Sequence, residues 1–146
     1  MNLEKPLKIY ISGPYSGNSP REVNNNVVEA INYYLIILKK GHFPYLPHLT
    51  HYPYIYSKEE IPYIVWLIQD AIWLRECDAI FMMPGWEKSR GAKFEHWAAQ
   101  KIGKKIFYNI DEIPQSKGYD EQVENLIKEY SQEFYELFRK SFLKSK

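Results

Sequence analysis

The chain has 146 residues, of which 45% are hydrophobic and 25% charged, so the sequence predicts one globular domain and excludes disordered, collagen-like and coiled-coil chains. Its 19 Lys and Arg nearly balance its 18 Asp and Glu, and a net charge of +1 argues against a general nucleic-acid binder. A lone cysteine, Cys77, excludes an intrachain disulfide and indicates a reducing compartment. No apolar run reaches the roughly 18 residues of a membrane span, and the N-terminus carries no signal-peptide pattern. We therefore expect a cytoplasmic domain over residues 1–146 that binds neither membranes nor nucleic acid.

Short apolar strands alternate with helices along the chain. Strands are predicted at 7–12, 43–46, 78–83 and 104–108, and helices at 20–40, 61–73, 89–102 and, as a long amphipathic C-terminal extension, about 119–144. Ser57 with Glu60 indicates a capping box before the second helix, and the proline-rich stretch 48–57 is predicted to be an irregular loop. This alternation predicts an α/β fold, a doubly wound, flavodoxin- or Rossmann-like parallel sheet with helices on both faces.

In such sheets, ligands bind beyond the carboxyl ends of the strands. Two segments there have suitable residues, 13–17 (GPYSG) and 84–95 (PGWEKSRGAKFE). In the first, the glycines Gly13 and Gly17 allow either close backbone approach or positive φ, although a simple tight turn is an equal alternative. The tyrosines Tyr10, on the strand, and Tyr15, in the loop, are hydroxyl or stacking candidates, with core packing as the alternative for Tyr10.

The second segment predicts an anion site at a helix N-terminus. Ser89 is the expected N-cap, and the small residue Gly91 leaves the first-turn amides open to a phosphate. Glu95 follows six residues later, about 9 Å along a helix axis, which is close to the distance from a nucleotide phosphate to its anomeric carbon. A carboxylate there can attack an anomeric carbon. The alternative is a capped helix with a solvated Glu95.

Other titratable residues are weaker candidates. Asp70 lies off the apolar face of its helix; it is either solvated or a second carboxyl whose raised pKa would let it protonate a departing base. His48 and His51 resemble a metal-ligand pair, but no further ligand lies at suitable spacing, so no metal is expected and the histidines are assigned to a base pocket. No nucleophile-elbow motif is present, which argues against a serine hydrolase.

Three segments in order carry a family resemblance: residues 9–17 (IYISGPYSG), 70–80 (DAIWLRECDAI) and 84–95. With them, residues 7 to about 108 resemble the nucleoside 2-deoxyribosyltransferase superfamily, with greatest similarity to small members like the 2′-deoxynucleoside 5′-phosphate N-hydrolases. The resemblance implies a flavodoxin-like fold and a covalent glycosyl-enzyme mechanism. No cofactor is implied, and a homodimer through the 61–73 helix and its neighbour is expected.

The resemblance also implies roles for single residues. Glu95 matches the nucleophile, Asp70 the acid that assists departure of the base, and Tyr10 a tyrosine that orients the nucleophile. Tyr15 falls in the loop that covers the nucleoside. Ser89 matches the serine with which the hydrolases bind the 5′-phosphate, where members acting on free nucleosides tend to carry an aspartate.

Two features near the expected phosphate site refine this assignment. Arg90 and Gly91 directly follow the matched serine and are assigned to the phosphate with it. Ser16 stands where the hydrolases carry an arginine that contacts phosphate, which is a departure from the family pattern.

The sequence therefore predicts an N-glycosidase that cleaves a (deoxy)nucleoside 5′-monophosphate into free base and (deoxy)ribose 5-phosphate through a glycosyl-glutamate intermediate. One alternative is a nucleoside 2-deoxyribosyltransferase, in which a second base resolves the same intermediate. Another is a non-catalytic nucleotide-binding or signalling domain on the same fold. The identity of the base and the choice between ribose and deoxyribose stay open.

Overall fold

The computed structural model describes residues 5–130 and 132–143. Its strands are β1 (Lys8–Ser12), β2 (Phe43–Tyr45), β3 (Ala79–Met82) and β4 (Lys105–Phe107). Its α-helices are α1 (Pro20–Lys39), α2 (His51–Tyr56), α3 (Tyr63–Glu76), α4 (Arg90–Lys101), α5 (Asp120–Lys128) and α6 (Gln132–Phe138). The predicted domain bounds of 1 and 146, and the predicted helix end at 144, lie outside the described residues.

The four strands form one parallel sheet in the order β2-β1-β3-β4, which is the flavodoxin-like order. The register places Ile9 beside Ala79 and Ile11 beside Phe81, so the two central strands align their apolar residues. This order puts the carboxyl ends of β1 and β3 side by side. The loops that follow these strands are therefore neighbours, as the sequence predicts.

Helices cover both faces of the sheet. Ile9 and Ile11 of β1 face α1 and pack in one buried cluster with Ala30 and Ile37 of that helix. Tyr10, between them, faces the other way and packs with α3 and α4, because alternate residues of a strand project to opposite faces. The predicted doubly wound α/β architecture is confirmed.

The proline-rich stretch after β2 is helical, so the prediction of an irregular loop over 48–57 was wrong. It forms a short 3₁₀ helix, Pro47–Thr50, followed by α2. The prolines are compatible with helix because Pro47 and Pro53 lie in first turns, where a backbone N–H has no intrahelical acceptor.

The prediction of a capping box formed by Ser57 and Glu60 was also wrong. Ser57 bonds locally, accepting from the N–H of Glu59 and donating to its carbonyl, and α3 begins only at Tyr63, after Pro62. A competing local turn of this kind is a common alternative to capping for serine.

The C-terminal segment forms two helices, α5 and α6, and a π-helical turn at Arg139–Leu143, rather than one long helix. The N–H groups of Glu129 and Tyr130 bond to carbonyls three residues back, which tightens the backbone at the end of α5. Among residues 5–130 and 132–143, no helix combines the length and apolar character needed to cross a membrane.

Candidate active site

A cavity of about 680 Å³ opens at the carboxyl ends of β1 and β3. This volume falls in the range typical of small-molecule sites. Its walls come from the loop after β1, the 3₁₀ helix with α2, α3, and the loop that leads into α4. Those lining residues that the sequence analysis assigned to the site are Gly13, Tyr15, Ser16, His48, Asp70, Ser89, Arg90, Gly91 and Glu95. Three further assigned residues, Tyr10, Gly17 and His51, lie outside the lining.

Glu95 is the buried carboxyl of this cavity, with only 8% of its surface exposed. Its Oε1 accepts a 3.1 Å hydrogen bond from the Ser12 hydroxyl, whereas Oε2 is buried with no partner. The pKa of Glu95 is raised to about 8, mainly by burial. The Asp70 carboxylate contributes to the rise, while the Tyr10 and Ser12 hydroxyls oppose it. A carboxyl held in this way is poised to change its charge near neutral pH.

Asp70 supplies a second carboxyl from α3. It is partly buried, its Oδ1 has no hydrogen-bond partner, and burial raises its pKa to about 6. The two carboxyls therefore differ in pKa, with the lower value on Asp70. Two titratable groups whose environments separate their pKa values are the usual basis for distinct acid and base roles.

The orientation of α3 explains why Asp70 reaches the cavity. The isoleucines Ile64, Ile68 and Ile72 form one face of α3 and are 58%, 54% and 49% exposed. Asp70 and Trp66 lie one turn apart on a different face, which lines the cavity. The apolar stripe of this helix thus points away from the core, and the residue that lies off that stripe points inward.

Tyr10 lies beneath the cavity rather than on its wall. It is fully buried, and its hydroxyl makes no hydrogen bond of acceptable geometry even though it lies near Glu95. Burial, followed by the neighbouring charges of Glu95 and Asp70, raises the pKa of Tyr10 well above its ordinary value. The tyrosine therefore stays a neutral hydroxyl next to the buried carboxyl.

The loop after β1 is fixed by hydrogen bonds on two sides. From α1, Asn26 donates to the carbonyls of Tyr15 and Ser16 at 3.0 and 3.2 Å. From the other side, the Tyr15 hydroxyl shares a 2.7 Å bond with His51 Nδ1, and His48 Nε2 donates to the Pro14 carbonyl at 3.0 Å. His51 therefore acts on the loop, whereas His48 both holds the loop and lines the cavity.

The two glycines of this loop allow close packing rather than positive φ. A Cβ on Gly13 would lie 2.6 Å from the Cβ and Sδ of Met83, and a Cβ on Gly17 would lie 2.6 Å from the Cβ of Glu22. These contacts hold the loop against β3 on one side and against the start of α1 on the other.

The part of the cavity at the start of α4 is suited to an anion. Ser89 is the N-cap of α4, as predicted, and its hydroxyl oxygen accepts from the N–H of Ala92 at 3.2 Å. The hydroxyl proton remains available to donate, and the N–H groups of Arg90 and Gly91 have no acceptor within the helix. Lys88 and Arg90 are exposed and line the cavity, and neither makes an ion pair among the described residues. The site thus combines anion-binding groups at the start of α4 with two carboxyls, of which Glu95 is buried.

Within the described part of the chain, no three His, Cys, Asp or Glu side chains form a group that could hold a metal ion. The spacing of His48 and His51 resembles that of a metal-ligand pair. In the structure, however, His48 bonds to the Pro14 carbonyl and His51 to the Tyr15 hydroxyl.

Comparison with known protein families matches residues 7–108 to the family described as "Domain of unknown function (DUF4406)". The chain belongs to this family. Every residue that lines the cavity falls within the matched region, so the candidate site is contained in the family's own domain. The chain has no significant match among curated proteins.

One solved structure to which the chain is similar is "2-desoxiribosyltransferase from Leishmania mexicana", with 22% sequence identity and a TM-score of 0.48. The alignment covers 69% of this chain and 62% of that chain, so the protein spans about three fifths of the length of the solved relative.

The cavity also contains residues that the sequence analysis did not assign. Trp66 and Lys88 line it, and Ser12 bonds the buried carboxyl. A signal for Ser12 was present, because it lies two residues after Tyr10 on a strand and so projects to the same face. A signal for Trp66 was its position four residues before Asp70 on a helix. Lys88 directly precedes the predicted N-cap.

Proposed function

We propose that the protein is an N-glycosidase that hydrolyses the N-glycosidic bond of a (deoxy)nucleoside 5′-monophosphate. The observation that carries the proposal is the arrangement of one cavity. A buried glutamate and a second carboxyl share it with the Ser89-capped N-terminus of α4. Lys88 and Arg90 line it there, and neither makes an ion pair within residues 5–130 and 132–143. A nucleotide offers a matching order of groups, with an anionic phosphate at one end and the anomeric carbon C1′ further along.

In the first step, the Glu95 carboxylate attacks C1′ and forms an ester as the bond from C1′ to the base breaks. The bonding electron pair leaves with the base, which takes a proton from Asp70. In the second step, water attacks C1′ and passes one proton to the Asp70 carboxylate, and Glu95 leaves as a carboxylate. The products are free base and (deoxy)ribose 5-phosphate, and both carboxyls return to their starting states.

This cycle needs one proton shared by the two carboxyls, on Asp70 when attack begins. Near neutral pH the pair holds about one proton, because the pKa of Asp70 is about 6 and that of Glu95 about 8. In the empty site that proton favours Glu95. The hydrogen bond from Ser12 and the nearby Tyr10 hydroxyl favour the charged form of Glu95, and so assist the transfer of charge to the attacking group.

The first test is free-base release, followed by chromatography, from a panel of nucleosides and their 5′-monophosphates. Release from the monophosphates, abolished in Glu95→Gln and retained in Glu87→Gln, supports the proposal, since Glu87 is exposed and outside the cavity lining. Release from nucleosides that rises when a second free base is added would make the protein a transferase. Tight nucleotide binding without turnover of any substrate would make it a binding module.

The role of the anion end is tested by Ser89→Asp. Aspartate is as good an N-cap as serine, so helix α4 should persist, but its charge repels a phosphate. We expect kcat/KM to fall by at least tenfold more for the monophosphate than for the nucleoside, because a lost charge-assisted hydrogen bond is worth about 1.5–3 kcal/mol. An equal loss on both substrates would contradict phosphate recognition by this helix.

We also propose that the protein forms a homodimer through the outer face of α3. A shallow apolar groove there is lined by Ile64, Leu67, Ile68, Ala71, Ile72, Arg75 and Phe94. The only charged member of that lining, Arg75, lies 3.4 Å from Glu76, so the groove presents no unpaired charge. A largely apolar surface of this kind, whose one lining charge is paired, is suited to an identical copy of itself across a twofold axis.

Sedimentation velocity tests the dimer with Ile68→Glu, and with Leu126→Glu as the matched control on α5, where the leucine is similarly exposed. The wild type and the control should sediment as dimers and Ile68→Glu as a monomer. A monomeric wild type at about 100 μM would refute the dimer, since stable dimers have dissociation constants well below that concentration.

A further inference from the structure

Two polar groups of the cavity wall are unused by the proposed reaction. His48 is 5% exposed, and its Nδ1 is buried with no hydrogen-bond partner. Trp66 Nε1 is likewise buried and unpartnered. Both residues line the cavity, from different elements. A buried polar group without a partner costs free energy, so each such group needs an explanation.

The hydrogen-bonding role of each nitrogen follows from its surroundings. His48 Nε2 lies 3.0 Å from the Pro14 carbonyl, which can only accept, so Nε2 carries the proton. Burial lowers the pKa of His48, although the carbonyls of Pro14 and Gly13 oppose this, and the ring is therefore neutral. Nδ1 is then an acceptor. The indole of Trp66 is a donor only.

We propose that His48 is a specificity-determining residue, whose Nδ1 accepts a hydrogen bond from the exocyclic amino group of the nucleobase. Trp66 Nε1–H is the complementary donor, to a ring nitrogen or carbonyl oxygen of the same base. The chemical class selected is thus a base whose edge offers an N–H beside a lone pair. This inference rests on the proposed function and deepens it.

The surroundings suit a base rather than a sugar or a phosphate. The tyrosines Tyr54 and Tyr63 line the same cavity, and the edge of the Tyr54 ring meets Trp66 at 6.4 Å between centroids. Aromatic rings provide flat surfaces for stacking. The two lining cations, Lys88 and Arg90, come instead from the start of α4 and the loop before it. Tyr63 reaches that part of the cavity, since its hydroxyl would lie 3.4 Å from a Cβ on Gly91, so Tyr54 and Trp66 are the rings assigned to the base.

The experiment compares kcat/KM for two substrates, the 5′-monophosphates of 2′-deoxyadenosine and of purine 2′-deoxyriboside, which differ only in the 6-amino group. A matching pyrimidine pair is 2′-deoxycytidine and its analogue without the 4-amino group. Two variants separate the hydrogen bond that His48 makes to Pro14 from the one proposed to the base. His48→Gln places an N–H near the Nε2 position, keeping the bond to Pro14, and removes the Nδ1 acceptor. His48→Asn keeps an acceptor near the Nδ1 position and loses the bond to Pro14.

We expect the amino/no-amino ratio to fall about tenfold from the wild type to His48→Gln and to change less than about threefold in His48→Asn, since one lost hydrogen bond to a buried group corresponds to roughly tenfold. Comparing ratios cancels the intrinsic difference between the two leaving bases. An unchanged ratio in His48→Gln overturns the role of His48 while the glycosidase stands. No base release by the wild type from any monophosphate, whether of these pairs or of the wider panel, overturns the glycosidase itself. Release only from bases without an exocyclic amino group overturns the role of His48.

Nucleotide binding tests the same proposal without a substitution at His48, and so does not depend on whether the His48 variants fold. Calorimetry on Glu95→Gln, which binds without turnover, should show about tenfold tighter binding of the amino-bearing monophosphate than of its analogue. Equal dissociation constants for the two would overturn the proposal.

Discussion

Replacing Glu95 by glutamine should stabilise the protein while it abolishes turnover. The folded-state pKa of Glu95 is about 8, against an ordinary value of 4.5. Because the pKa of Glu95 is higher in the folded state, the stability contributed by its protonated form is fully present below pH 4.5 and is lost as the pH rises towards 8. Each unit corresponds to about 1.4 kcal/mol, so the glutamate costs the fold about 3 kcal/mol at pH 7 and almost nothing at pH 4. Glutamine does not titrate, and its side-chain oxygen can still accept from Ser12.

The assay is urea unfolding of the wild type and Glu95→Gln at several pH values between 4 and 8, with Glu87→Gln as the exposed control. The stability difference for Glu95→Gln should grow from near zero at pH 4 to about 3 kcal/mol at pH 7. The control should show no such growth. A difference that is flat with pH, or a variant less stable than the wild type at pH 7, would refute the conclusion that burial of this carboxyl is costly.

Three further predictions concern the site and its supports. Turnover should follow a bell-shaped pH profile with its maximum between about pH 6 and 8, because the singly protonated form of the carboxyl pair dominates there. The variant Asp70→Asn should lose the fall in turnover on the alkaline side. An unchanged alkaline fall in that variant would exclude Asp70 as the proton donor. Asn26→Ala should raise KM about tenfold with a smaller effect on kcat, because two hydrogen bonds to the loop after β1 are lost. The control Asn25→Ala, on the exposed side of α1, should match the wild type in steady-state kinetics. Gly13→Ala should lower the free energy of unfolding by about 1–3 kcal/mol through its clash with Met83, and a second change, Met83→Ala, should relieve part of that loss in urea titrations.

The sheet and the location of the site were predictable because they depend on patterns within the sequence. The buried strand at Ala79–Met82 and the serine before α4 are local signals, and parallel topology then brings the loops after β1 and β3 together. Ser89 and Glu95 both line the cavity because both belong to the first turns of α4, which follows β3.

What could not be predicted depends on tertiary packing. The isoleucine stripe of α3 is the strongest apolar pattern on that helix, and its outward orientation has no signal within the helix itself. The hydrogen bonds from Asn26 and His51 to the loop join residues 11 and 36 positions apart, and no local pattern indicates them. Whether α5 and α6 form one helix or two was equally undetermined by an apolar spacing that both arrangements satisfy.

Helix α3 has one consequence for regulation. Its inner face presents Asp70 and Trp66 to the cavity, and its outer face presents three isoleucines to whatever binds there. Any shift or stiffening of this helix therefore changes both the cavity wall and the outer surface. By thermodynamic linkage, an outer-face partner that tightens nucleotide binding must itself bind more tightly when nucleotide is present, by the same factor. Where that partner is the second copy proposed above, the apparent substrate affinity depends on protein concentration, and dilution weakens it.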